Sequence, residues 1–127
     1  MHALRKALGW LSVTYAAVFF TAALLHTGTT LGPLRQPVIA PAVIVETLCG
    51  AALLAGAYGA LAATTWAWDG LIYTHAGALA GVLMGIMAVG LGPGGAAANP
   101  LLIWYHGTIA AFLTAGLGAA FYVSRVR

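Results

Sequence analysis

Residues 38–63 read VIAPAVIVETLCGAALLAGAYGALAA, and this stretch decides the fold. It is apolar or small almost throughout, and Glu46 is its one charged side chain. About 20 such residues in a helix, at about 1.5 Å rise each, cross the hydrocarbon core of a bilayer. Working outward, three further runs of the same character lie at about 8–31, 70–91 and 100–123. The expected fold is therefore an all-α integral membrane protein, a four-transmembrane-helix bundle forming a single domain over 1–127. Composition agrees, since 62% of the 127 residues are hydrophobic and 6% are charged. Soluble domains carry about a quarter charged residues. A core of this size cannot hide so much apolar area, so lipid serves as part of the solvent.

The breaks between the runs carry their own chemistry. Gly32-Pro33 is expected to stop the first helix, and Pro37 to limit where the second begins. Pro41 ends or kinks the first turn there, or marks a later start. Asp69 stands where an N-cap would, with a carboxylate able to accept from free amides opening helix three. Gly92-Pro93-Gly94-Gly95 ends that helix, and Asn99-Pro100 reads as an N-cap followed by proline at the first helical position.

Basic residues set the expected orientation. Arg5, Lys6, Arg125 and Arg127 flank the termini, whereas Arg35 alone lies in a connection. Cytoplasmic ends are enriched in Lys and Arg, so both termini are expected in the cytoplasm and the chain in the cell membrane. Arg5 and Lys6 before an apolar run also resemble a signal peptide. The run is long and no convincing small-x-small cleavage site follows, so it is read as the first membrane helix. Trp10, Trp66, Trp68 and Tyr122 fall near the expected cytoplasmic interface as an aromatic belt. Gly77, Gly81 and Gly85 recur every fourth residue on helix three, and Gly107, Ala111, Ala115 and Ala119 on helix four. Small residues so spaced let helix backbones approach closely in lipid. They are expected to build the interior, with a homo-oligomer contact through Gly77, Gly81 and Gly85 as the other use.

Candidate chemistry lies in residues that are costly in a membrane. Glu46 in helix two, at an expected depth of about 12 Å, shares the outer third of the bilayer with His26 and His106. His75 stands apart in the inner third, with Tyr15 at comparable depth. Burial disfavours the charged form of a carboxyl or an imidazole, and pairing opposes that effect. Glu46 beside a histidine therefore holds a proton and passes it on, making Glu46, His26 and His106 the candidate catalytic set. The competing reading is structural, with Glu46 bridging helices to Tyr105, Trp104 or a histidine. For His75, a satisfied core or interfacial histidine is the expectation. Met84 and Met87 reach the outer half but read as packing.

Other chemistries use the same residues. His26 and His106 at one depth suit the two axial ligands of a b-type haem inside a four-helix bundle. With Glu46 they also make a two-histidine, one-carboxylate metal set. Cys49 is the single cysteine, so the chain has no intrachain disulfide and no CxxC motif. It has no phosphate-binding glycine loop and no GxSxG elbow. The net charge of +3 comes mainly from the two ends, without the basic and aromatic surface that nucleic-acid binding needs. A transporter is disfavoured, since four helices are few for alternating access and no broken-helix repeats are visible.

Gly32-Pro33 and the segment QPVIAPAVIVETLCGAALLAGAYGA resemble the DoxX-like group of small membrane proteins. That group has four helices, a short extracellular segment after the first, and a proline-and-apolar lead into a helix carrying Glu followed by Gly and Leu-Ala-Gly repeats. Pro41, Glu46, Gly50 and Gly56 are the matching positions. The resemblance covers about a third of the chain, and basic residues after helix two, common in the group, are absent here. It implies a four-helix bundle associated with redox or small-molecule chemistry. Three function classes follow. The first binds or converts a lipophilic small molecule such as an isoprenoid, quinone or polyketide by acid–base chemistry, as in isomerisation or cyclisation. The second is a haem-binding or metal-binding electron-transfer subunit. The third is an accessory subunit of a larger membrane complex.

Overall fold

The computed structural model describes residues 1–92 and 100–126. Four helices account for most of them: α1 His2–His26, α2 Ala40–Leu61, α3 Ala67–Leu91 and α4 Pro100–Val126. All four are long and apolar enough to cross a bilayer, and the described residues contain no strand. The chain is a multi-pass membrane four-helix bundle, as its sequence implied. Successive helices pack against one another, whereas α1 touches α3 and α4 only sparsely. The termini and the α2–α3 turn share one end of the bundle. The α1–α2 connection occupies the other, called here the loop end.

Helix ends differ from expectation in ways that matter for the site. α1 stops at His26, not near Leu31, because Gly28 takes a left-handed backbone (φ +88) that terminates a helix at little steric cost. The Thr27 hydroxyl donates to the Leu24 carbonyl at 2.7 Å, which also accepts the Thr27 N–H at 3.2 Å. Gly32-Pro33 instead belongs to a small turn in which Leu31 and Leu34 exchange backbone bonds of 3.0 Å. α2 starts at Ala40 with Pro41 in its first turn, where the missing N–H would have had no helical partner. The Ile39 N–H donates to the His26 carbonyl at 3.0 Å and so ties the entry of α2 to the exit of α1.

Asp69 is not the N-cap of α3. That position is Trp66, without a side-chain cap bond, and Asp69 falls inside the first turn. A carboxylate there still opposes the positive end of the helix dipole. The segment 93–95 and the proposed cap Asn99 lie outside the described residues.

The interior forms two clusters. Tyr15, Phe19, Cys49, Leu53, Val82, Ile109 and Leu113 pack in one, with Ala16 and Ala78. Leu8, Ala60, Trp68, Leu71, Ala120 and Val123 pack in the other, towards the termini. Trp68 is therefore a core residue, 5% exposed, while Trp10, Trp66 and Tyr122 face outward as the belt reading expects. Ile44, Leu48, Leu83 and Phe112 also face outward, which suits contact with acyl chains.

The small-residue stripes divide between two uses. Gly81 and Gly85 are interior: a Cβ at Gly81 would lie 2.8 Å from Cys49 Sγ, and one at Gly85 2.5 Å from His106 Nε2. Gly77 and Gly107 open outward with nothing near them, and Ala111 and Ala115 are exposed. On α4 the inward face is His106, Ile109, Leu113, Gly116, Ala120 and Val123, a helical spacing one or two positions off the small-residue stripe. An α3 contact between copies would thus have Gly77 alone of the three glycines on its outer surface.

Candidate functional site

His26 and Glu46 meet at the loop end, with 2.8 Å between Nδ1 and Oε2. Their meeting follows from helix geometry. Side chains lean toward their own helix N-terminus, so His26 at the end of α1 leans into the bundle. Glu46, on the antiparallel α2, leans back toward the loop end. The two converge although α1 ends at His26 itself and not near Leu31. Both are buried, at 5% and 7% exposure. Either the imidazole N–H donates to the carboxylate or a protonated carboxyl donates to the imidazole. In both forms a mobile proton lies between the two atoms.

His106 approaches from α4. Its Nδ1–H donates to the Leu102 carbonyl at 2.7 Å, and the Nε2 edge points the other way. That edge faces Gly85, whose missing side chain makes room for it. Tyr105 stands edge-on to the His106 ring, with centroids 5.0 Å apart and planes at 78°.

His26, Glu46, Tyr105 and His106 line one cavity of about 320 Å³, walled mainly by apolar side chains such as Val45, Val82 and Met84. Such a volume falls at the lower end of the range for small-molecule sites, about 300–1,000 Å³. The structure thus brings Glu46 into contact with His26 and places His106 on the same cavity wall. A second cavity of about 430 Å³ lies between α1 and α4 beneath Leu34 and Gln36, and shares His26, Leu102 and Tyr105 with the first. Sequence reasoning missed this chamber and Gln36 with it. Nothing in the sequence distinguishes Gln36 from any polar residue in a connection.

His75 forms a separate layer nearer the termini, beside Tyr15, as the depth estimate suggested. Its Nδ1–H donates to the Leu71 carbonyl at 2.8 Å. Tyr15 meets it edge-on, with centroids 5.9 Å apart. Its Nε2 is buried without a partner and faces Gly116 of α4, where a Cβ would come within 2.9 Å.

The metal and haem arrangements find little support in this geometry. Among the described residues no three His, Cys, Asp or Glu side chains converge as metal ligands. The His106 Nε2 that an iron would require closes on Gly85. No family model, curated protein or solved structure matches the chain.

Proposed function

We propose that this membrane protein binds and converts a lipophilic small molecule by acid–base chemistry, with Glu46 and His26 as the proton-exchanging pair and His106 as a polar wall of the same cavity. The single observation that carries the reading is a buried carboxyl–imidazole hydrogen bond on the wall of an apolar cavity. Carboxyl and imidazole groups inside a bilayer are costly and mark functional sites by default. An isomerisation or cyclisation balances with one proton added to the substrate and one removed. It asks for no nucleotide or metal and gains from a dry site.

The resemblance of the α2 segment to the DoxX-like group agrees with a small-molecule role and adds Pro41, Gly50 and Gly56 to the matching positions. Basic termini support placing both chain ends in the cytoplasm of a cell-membrane protein, which sets the site in the outer half. Association with a second copy or a larger complex is a second reading. It is favoured by the outward small-residue face at Gly107, Ala111 and Ala115.

The test is isotope exchange. Purified protein is incubated with membrane lipid extract in deuterated buffer, and the neutral lipophiles are examined by mass spectrometry. The reading expects one species to gain deuterium with the native chain and to gain none with Glu46→Gln. Equal labelling by the variant, or no labelled species at all, removes it.

A further inference from the structure

We propose that the end of the bundle carrying the termini binds anionic lipid headgroups, through Arg5 and Lys6 of α1 together with Arg125 of α4. This surface lies at the opposite end from the Glu46 cavity and does not depend on its chemistry. In the sequence the three residues stand at opposite ends of the chain. Folding brings them to one rim. Leu8 of α1 and Val123 of α4 are buried in one apolar cluster with Trp68 and Ala120. Arg5 stands about one helical turn beyond Leu8 toward the membrane surface, and Arg125 lies just beyond Val123. A helix with its side chains is about 10–12 Å across, close to the Debye length of about 10 Å at 0.1 M salt. The charges on the two helices therefore reinforce one another.

The protein supplies little to neutralise them. Among the described residues one ion pair forms, between His26 and Glu46 at the far end. Asp69 is the one acidic side chain near the termini, and it is exposed on α3. Lys6 and Arg125 are exposed as well. The Arg125 guanidinium lies over the Phe121 ring, 5.0 Å from its centroid, a contact that uses none of its N–H donors.

Depth fits the same partner. Trp10 and Tyr122 are 63% and 68% exposed, and each lies about one turn inside the nearest basic residue, Lys6 or Arg125. Exposed aromatic residues mark the headgroup level of a bilayer. Lys6 and Arg125 thus stand where lipid phosphates are. A zwitterionic lipid brings its own cation, so a lipid with net negative charge suits this rim better. The loop end offers no such surface, because Arg35 is its single Lys or Arg.

The experiment releases the full chain from nanodiscs holding equal amounts of phosphatidylcholine and phosphatidylglycerol, and counts retained lipids by native mass spectrometry. Phosphatidylglycerol is expected to outnumber phosphatidylcholine about fivefold, the effect of one basic residue on a lipid beside it. Phosphatidylserine in its place should do the same, since charge is what the rim reads. Combining Arg5→Gln, Lys6→Gln and Arg125→Gln should bring the ratio to about one, with the helical circular dichroism unchanged. Lys6→Gln alone, at an exposed position away from the core, should lower the ratio in part. Arg35→Gln, the control at the loop end, should leave it within about twofold. At about 1 M salt the Debye length falls to about 3 Å, and the native ratio should fall toward one. Equal retention of the two lipids by the native chain overturns the proposal. So does a preference that the folded triple variant keeps, or one that Arg35→Gln abolishes.

Discussion

His106 and His75 are built alike and placed differently. Each donates from Nδ1 to the carbonyl four residues back, meets a tyrosine edge-on, and turns Nε2 toward a glycine of the opposite helix. The arrangement is reciprocal: His106 on α4 faces Gly85 on α3, and His75 on α3 faces Gly116 on α4. Yet His106 borders a cavity with a carboxyl on its wall, whereas His75 is fully enclosed, at 0% exposure. The difference comes from what lies around them. Near the termini Leu8, Trp68, Ala120 and Val123 fill the space, with Tyr15 against His75 itself. At the loop end α1 stops at His26 and leaves chambers that no large side chain occupies. A histidine in a membrane helix is therefore not a site by itself; the space beside it decides.

The largest expected effect sets these layers apart by activity. Glu46→Gln should lower proton exchange into the bound lipophile by about 10²–10⁴-fold, the usual contribution of a positioned acid or base. His75→Phe should leave the same rate within about twofold, as expected of a residue remote from the chemistry. A comparable loss in both would erase the distinction between the layers.

The glycines offer a sharper comparison in stability. Gly116→Ala forces a methyl group against an imidazole that has nowhere to move, and should destabilise the protein by about 3 kcal/mol. Gly85→Ala presses on His106, which can swing into the neighbouring cavity, so about 1 kcal/mol is expected. Chemical denaturation in detergent, followed by circular dichroism, measures both, and the reverse order would show that the His75 layer is the more yielding.

Smaller effects concern single groups. His75→Phe removes a buried nitrogen without a partner, but it also gives up the bond to the Leu71 carbonyl and sets a larger ring against Gly116. Denaturation should therefore show a loss of about 1 kcal/mol. No loss would show that the layer yields to the larger ring. Ala63 adopts a left-handed backbone (φ 58) in the α2–α3 turn, where glycine is at ease. Ala63→Gly should stabilise by about 0.5 kcal/mol, the relief of strain being partly offset by added freedom in the unfolded chain. A destabilised variant would place the strain elsewhere.

The candidate site was only partly legible from the residues in order. Helix count was plain, because four apolar runs in a chain with 6% charge leave few alternatives. Glu46, His26 and His106 stood out because ionisable groups in such runs are rare. Their relative facing could not be read, since depth along a helix says nothing about rotation around it. The α4 stripe shows the same limit: Gly107, Ala111 and Ala115 look like a packing seam and in fact face outward, one or two positions from the true inner face. Trp68 read as a belt aromatic and proved a core residue.

Sequence alone determined that this chain lives in a bilayer as four helices, because apolar length and charge scarcity are properties of the chain itself. It also determined which side chains are out of place in lipid. Only the tertiary structure decided that His26 meets Glu46, that Gly28 ends α1 at His26, and that Gln36 closes a chamber beside Tyr105. Those facts depend on helix rotation, on the lean of side chains in antiparallel neighbours, and on the space left between α1 and α4. None of these is a local property of the residues involved.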